Sequence, residues 1–165
     1  MKQKKCLISG SFDPITKGHE EMIKRALNLF DKVDIVIFEN PEKRYLFPLE
    51  TRLDFIKTLC GSNEKIHVCA SGGLLVDYVK ANEITAVLRG IRNMADFEYE
   101  VQMEQINKQL NPNCECVYLA PSPNIAQISS SIVRQLLKFG ADISFAVPKE
   151  IQSKIKAEYS KLNNN

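Results

Sequence analysis

Between Gly10 and His19 the chain reads Gly-Ser-Phe-Asp-Pro-Ile-Thr-Lys-Gly-His, directly after the apolar run Cys6-Leu7-Ile8 and directly before an amphipathic stretch. A strand, a glycine-bearing turn and a helix start, in that order, make an anion-binding corner. The first N–H groups of a helix lack intrahelical partners and sit at the positive end of its dipole, so they suit a phosphate. His19 falls where the helix opens, within reach of the same anion. The segment is neither Gly-x-x-x-x-Gly-Lys-Ser/Thr nor Gly-x-Gly-x-x-Gly, which excludes a P-loop and a dinucleotide fingerprint. Taken alone, Gly10 and Pro14 would read as a plain turn, and Thr16 or Gly18 as helix-start residues.

Three more groups carry the chemistry of oxyanion binding. Leu88-Arg89-Gly90-Ile91-Arg92 places two guanidiniums at the end of a strand-like run, where planar forks hold phosphates well. Ile128-Ser129-Ser130-Ser131-Ile132-Val133-Arg134 reads as a helix cap whose hydroxyls and N–H groups also hold phosphate. Lys43, in Asn40-Pro41-Glu42-Lys43-Arg44, is a cation in a basic loop. Surface charge and ordinary capping are the bland explanations of all three.

The elements that must position these groups follow from hydrophobic periodicity. Apolar, β-branched runs recur at 6–8, 33–38, 66–70, 85–88 and 116–119. Helical patterns separate them, the first over 20–31 with Met22, Ile23, Ala26, Leu27 and Phe30 on one stripe. Others fall at 49–60, 74–82, 94–110, 130–139 and 149–162. Pro148 suits the first turn of the last helix, and Asn163, Asn164 and Asn165 are expected to fray. Strands alternating with helices predict right-handed βαβ units: an α/β, doubly wound parallel sheet of about five strands, covered on both faces. In such sheets ligands bind beyond the carboxyl ends of the strands, near the switch point. The loops at 9–18, 39–48, 71–73, 89–93 and 120–131 are therefore the ones that matter, and every group above lies in one of them.

Composition narrows the function classes. At 165 residues and 18.7 kDa the length suits one domain over 1–165 with a proper core. Net charge is +2, from 22 basic and 20 acidic residues, which gives no case for nucleic acid. Lys2, Lys4 and Lys5 are not followed by a long apolar region, so no signal peptide is read, and nothing approaches a membrane span. Cys6, Cys60, Cys69, Cys114 and Cys116 form an odd set without framework spacing. Those within strand-like runs suit buried small hydrophobes, and Cys114 and Cys116 lack histidines at zinc spacing. A reducing cytoplasm is expected.

The Gly10–His19 segment resembles the Gly-Thr-Phe-Asp-Pro…Thr-x-Gly-His signature of the nucleotidyltransferase superfamily, with its Rossmann-like fold. Two features make it similar specifically to the bacterial phosphopantetheine adenylyltransferase family. One is the block from Arg89 through Asn93-Met94-Ala95-Asp96-Phe97-Glu98-Tyr99-Glu100; the other is Thr16, where pyridine-nucleotide adenylyltransferases and cytidylyltransferases usually carry His. The Ile128–Ser131 stretch resembles the family's second signature, Ile-Ser-Ser-Ser/Thr. The likeness runs from Lys5 to about Pro148.

Residue by residue, the resemblance implies that Ser11, Lys43, Leu75 and Arg89 bind phosphopantetheine. ATP would meet Ser11, Phe12, His19, Gly90, Ile91, Arg92 and Glu100, together with Ile125, Ala126, Gln127, Ile128, Ser129, Ser130 and Ser131. His19, Lys43 and Arg89 would be catalytic. The family also implies dephospho-coenzyme A and coenzyme A as ligands and a homohexamer built from two trimers. The chain departs from the family's pattern at three positions: Ser11 stands for the usual Thr, Ile125 for a frequent aromatic, and Ser9 for the usual Pro.

The expected reaction joins 4′-phosphopantetheine to the AMP part of ATP, releasing pyrophosphate. A phosphate monoester is largely dianionic at neutral pH, its second pKa being about 6, so no side-chain nucleophile or strong base is required. Positioning and charge neutralisation carry such a transfer. Mg²⁺ is expected on the ATP phosphates, with no protein metal site. Two other readings stay open at this point: a nicotinate mononucleotide adenylyltransferase, and a non-catalytic adenine-nucleotide or coenzyme A sensor. A tRNA synthetase is disfavoured, because no tRNA-binding segment is evident.

Overall fold

The apolar runs read as continuous, not alternating, because the strands they form are covered on both faces. In the computed structural model, which describes residues 3–163, Cys6, Leu7 and Ile8 of β1 (Lys5–Ser9) are all fully buried. The chain continues through α1 (Lys17–Leu29), β2 (Lys32–Phe38), α2 (Leu49–Cys60), β3 (Ile66–Ser71) and α3 (Leu75–Ala81). It then forms β4 (Ala86–Gly90), α4 (Met94–Leu110), β5 (Cys116–Leu119), α5 (Ser130–Lys138) and α6 (Lys149–Asn163). The five strands make one parallel sheet in the order β3-β2-β1-β4-β5. Ile8 pairs with Ile35 on one side and with Leu88 on the other. β1 is thus the switch point, and the crevice outside the carboxyl ends of β1 and β4 is where such a sheet accepts a ligand.

Two apolar layers flank the sheet. The larger gathers Ile8, Ile35 and Leu88 with Ile23 and Ala26 of α1, Phe55 and Ile56 of α2, Val133 of α5, and Ile151 and Ile155 of α6. The smaller packs Leu7, Val36 and Val87 against Val76 and Val79 of α3. Within that second layer the buried Asp34 carboxylate accepts from Tyr78 OH at 2.9 Å and pairs with Lys5 Nζ at 2.9 Å, which offsets part of the cost of burying its charge. Helix α4 is different. None of its residues is buried, and Met94, Tyr99, Ile106 and Leu110 stand exposed.

The expected elements are all present, with shifts at their ends. α1 begins three residues earlier than the apolar stripe predicts, because Thr16 and His19 form a capping box that starts the helix at Lys17. β4 runs on to Gly90, since Arg89 and Gly90 pair with Tyr118 and Leu119 of β5. Arg89 therefore stands on a strand, not in the loop expected for it. Pro148 lies just before the first helical residue of α6, its carbonyl accepting from Ile151 N at 3.2 Å. Asn163 is helical rather than frayed, and Asn164 and Asn165 lie outside the described residues. Burial pushes the Cys6 thiol up to about 12 and the Cys60 thiol up to about 11, which suits inert free cysteines. No helix among the described residues is long and apolar enough to cross a membrane.

Candidate functional site

A cavity of about 380 Å³ opens at the carboxyl ends of β1 and β4 and is lined by parts of the 9–18, 39–48 and 120–131 loops. The first loop is held from several sides. Gly10 lies against Phe12, and a Cβ there would press on the ring at 3.3 Å. Phe12 takes a left-handed backbone conformation, φ +48°, uncommon for a bulky residue, and in it the ring is buried 4.9 Å from the His19 ring. Asp13, also buried, accepts from the backbone N–H of Leu46 at 2.8 Å and of Phe47 at 2.9 Å. That pair of bonds binds the first loop to the segment just after Lys43.

The state of His19 follows from one hydrogen bond. The backbone N–H of Thr16 donates to His19 Nδ1 at 3.0 Å, and the Thr16 hydroxyl lies 2.9 Å from the same nitrogen. A backbone amide can only donate, so Nδ1 must be unprotonated and Nε2–H becomes the ring's donor. Burial, and next the Arg92 guanidinium, push the His19 pKa down to about 4. The imidazole is thus a neutral donor across the physiological range. In the ligand-free protein, nitrogen-detected NMR should find His19 in the Nε2–H tautomer and titrating near pH 4. Titration at the ordinary pH of about 6.5 would break this assignment. The sign for stability is fixed as well. The unfolded chain binds the His19 proton below about 6.5, the folded one only toward 4, so this residue makes stability fall as pH drops through that window.

Cations surround this donor. Lys43 Nζ donates to Ser11 Oγ at 3.0 Å. Arg89 donates from Nη1 to Ser9 Oγ at 2.9 Å, and its Nε lies 3.2 Å from Glu100 Oε2. Arg92 grips Asp96 through Nε at 2.8 Å and Nη2 at 3.2 Å, which holds the Asp96 carboxyl below its usual range. Also lining the cavity, Ser129 caps α5, its Oγ accepting from Ile132 N at 3.2 Å. Ser130 Oγ donates to the Pro14 carbonyl at 2.8 Å, and Arg134 donates to the Asp13 carbonyl at 2.6 Å and to Ser131 Oγ at 3.0 Å. The serine signature is therefore both a cap and a brace for the first loop. The lining carboxylates are all engaged: Asp13 as above, Glu21 by Ser122 N at 3.0 Å, and Glu100 by Arg89. The cavity presents surplus positive charge and a neutral donor, an arrangement suited to a polyphosphate.

Of the residues expected at the site, Ser11, Phe12, His19, Lys43, Arg89, Gly90, Arg92, Glu100, Ile125, Ile128, Ser129, Ser130 and Ser131 line this cavity. Leu75, Ile91, Ala126 and Gln127 do not. Leu75 packs on the smaller apolar layer, Ile91 donates its N–H to the Leu119 carbonyl at 2.9 Å, and Ala126 donates to that of Ser122 at 3.1 Å. Ser9, Glu21, Arg25 and Arg134 line it without having been expected. Glu21 and Arg25, four apart on a helix, look like an ordinary surface pair, and only the fold turns them inward. Among the described residues, no three His, Cys, Asp or Glu side chains gather as a metal site.

Residues 7–136 match the cytidylyltransferase-like family. A phosphopantetheine adenylyltransferase of Caldanaerobacter subterraneus subsp. tengcongensis is 40% identical over 156 residues, 94% of this chain and 98% of the relative. One from Campylobacter hominis is 44% identical over 146 residues, 88% and 92% of the two chains. Another, from Nautilia profundicola, is 41% identical over 147 residues, 89% and 96%. With nearly full-length matches at this identity, and with both signatures facing one cavity, the chain belongs to the phosphopantetheine adenylyltransferase family of cytidylyltransferase-like nucleotidyltransferases.

Proposed function

We propose that this chain, working as one nucleotidyltransferase domain, transfers the adenylyl group of ATP to 4′-phosphopantetheine, giving dephospho-coenzyme A and pyrophosphate. Family membership supports the reaction, and the observation that carries the chemistry is the His19 ring, fixed as a neutral donor by Thr16 in a cation-lined cavity. An oxygen of the phosphopantetheine phosphate attacks the α-phosphorus of ATP. The new P–O bond forms as the bond from the α-phosphorus to the bridging oxygen breaks, and pyrophosphate leaves with that electron pair. His19 donates to an α-phosphate oxygen as charge builds there. Lys43 and Arg89 orient the attacking phosphate and offset its charge, and Lys43 is already bonded to the Ser11 hydroxyl. The α5 cap, Gly90 and Arg92 take the rest of ATP. Mg²⁺ enters as part of the nucleotide substrate, held by its phosphates.

We further propose a homohexamer in the family's manner and a cytoplasmic setting; the exposed apolar residues of α4 support association with further copies. Coenzyme A and dephospho-coenzyme A are ligands of the same site.

The decisive assay is pyrophosphate release with purified protein. Turnover is expected with ATP and phosphopantetheine, and little with nicotinate mononucleotide. Equal or better use of the pyridine nucleotide would replace the substrate assignment, and tight nucleotide binding without release of pyrophosphate from any acceptor would make the chain a sensor.

A further inference from the structure

Arg52, on α2, is the largest fully buried side chain among the described residues and is 1% exposed. A buried cation ordinarily needs a carboxylate, yet among the described residues none pairs with it in an ion pair. Instead its Nε donates to the Phe47 carbonyl at 3.0 Å, its Nη1 donates to the Ser11 carbonyl at 2.9 Å, and its guanidinium lies 4.0 Å from the centre of the Tyr45 ring. The two carbonyls belong to different loops of the site. Ser11 Oγ is the group Lys43 Nζ meets, and Tyr45 and Phe47 follow Lys43 on its own loop. Asp13 holds Leu46 and Phe47 by their N–H groups while Arg52 takes the carbonyl of Phe47. The segment carrying Lys43 is thus gripped through its donors by one residue and through its acceptor by the other.

We infer that Arg52 is a positioning residue: it fixes Lys43 and Ser11 relative to each other and so sets where the acceptor phosphate is held. A planar fork can bridge two carbonyls and stack on a ring at once, which a lysine ammonium cannot do. An apolar side chain there would leave the Phe47 and Ser11 carbonyls without their donor, so the guanidinium is the tie between the two loops. The inference rests on the phosphopantetheine reading of the site.

The test is a double-mutant cycle between Arg52→Lys and Lys43→Ala, measured as kcat and KM for both substrates, with thermal melting to normalise for folded protein. In the wild-type background Arg52→Lys should lower kcat/KM for phosphopantetheine about 10-fold or more, the scale of a lost hydrogen bond to a charged group, and leave KM for ATP within about twofold. In the Lys43→Ala background the same change should cost far less, because the amine it positions is gone. Equal losses in both backgrounds, or a lower melting temperature with unchanged kinetics per folded molecule, would overturn the inference. Should Arg52→Lys fail to fold, Arg52→Gln, which keeps a donor for one carbonyl, takes its place in the same cycle. Wild-type turnover of phosphopantetheine with equal losses sinks this inference alone, whereas no wild-type turnover sinks the functional reading and this inference with it.

Discussion

Replacing His19 by alanine is expected to lower kcat on the order of 10²–10³-fold, the usual loss for one preorganised donor to a developing oxyanion, while KM for ATP changes little. An Nε2–H bond that strengthens as charge accumulates on the α-phosphate oxygens shows its worth in the transition state and not in the ground state. The substitution also removes the acceptor for the Thr16 N–H, half of the α1 capping box. That should cost roughly 0.5–2 kcal/mol of stability, as helix-cap losses do, visible as a few degrees in the melting curve and far too little to unfold the domain. The ring contact with buried Phe12 adds a modest packing loss. Steady-state kinetics in both directions, with melting as the control, check the expectation. A variant with near-normal kcat would remove His19 from the chemistry. One that no longer folds would make it a structural residue.

Arg89→Ala should discriminate between the two substrates. If its guanidinium holds the acceptor phosphate, binding of phosphopantetheine should weaken about 10- to 150-fold, the equivalent of roughly 1.5–3 kcal/mol for a charge-assisted hydrogen bond, with ATP affected much less. In the unliganded protein Arg89 is partnered by Ser9 Oγ and Glu100. The alanine variant therefore also leaves Glu100 without its cation, and part of any loss belongs to that carboxylate. Arg89→Lys separates the two effects: it keeps a positive charge near Glu100 but cannot present a fork. Binding of each substrate measured separately by calorimetry is the direct readout. Equal weakening of ATP and phosphopantetheine in Arg89→Ala would mean the residue supports the wall of the site and does not read the acceptor.

What the sequence made legible were features written locally. Period and β-branching located the strands and helices, since a parallel strand buried on both faces leaves an uninterrupted apolar run. The signatures at Gly10–His19 and Ile128–Ser131 were readable because strand, turn and helix start are contiguous in the chain. Boundaries were less so. α1 starts at Lys17 because a histidine side chain accepts from the cap residue, a pairing that hydrophobic periodicity does not register. β4 extends through Arg89 because β5 lies beside it, which only the sheet decides.

The ties that hold the site open were not readable at all. Arg52 reaches Ser11, Arg134 reaches Asp13, and Glu21 reaches Ser122, across separations of 41, 121 and 101 residues. Each joins a side chain to a backbone group, so the partner's residue type carries no trace of it. Leu75 and Ile91 illustrate the converse. Resemblance marks them as site residues, whereas packing directs one toward the smaller apolar layer and the other's amide toward β5.

The locked tautomer has a thermodynamic corollary. With His19 donating as proposed, without surrendering its proton, and the carboxylates lining the cavity already partnered, the site would neither take up nor release a proton in the central step. The bond made and the bond broken are both phosphoanhydrides, so little free energy separates the two sides. Such a site is as competent in reverse, building ATP from dephospho-coenzyme A and pyrophosphate, as it is forward. Nothing in its geometry commits it to synthesis. Direction is left to the concentrations around it, and above all to how quickly pyrophosphate is removed.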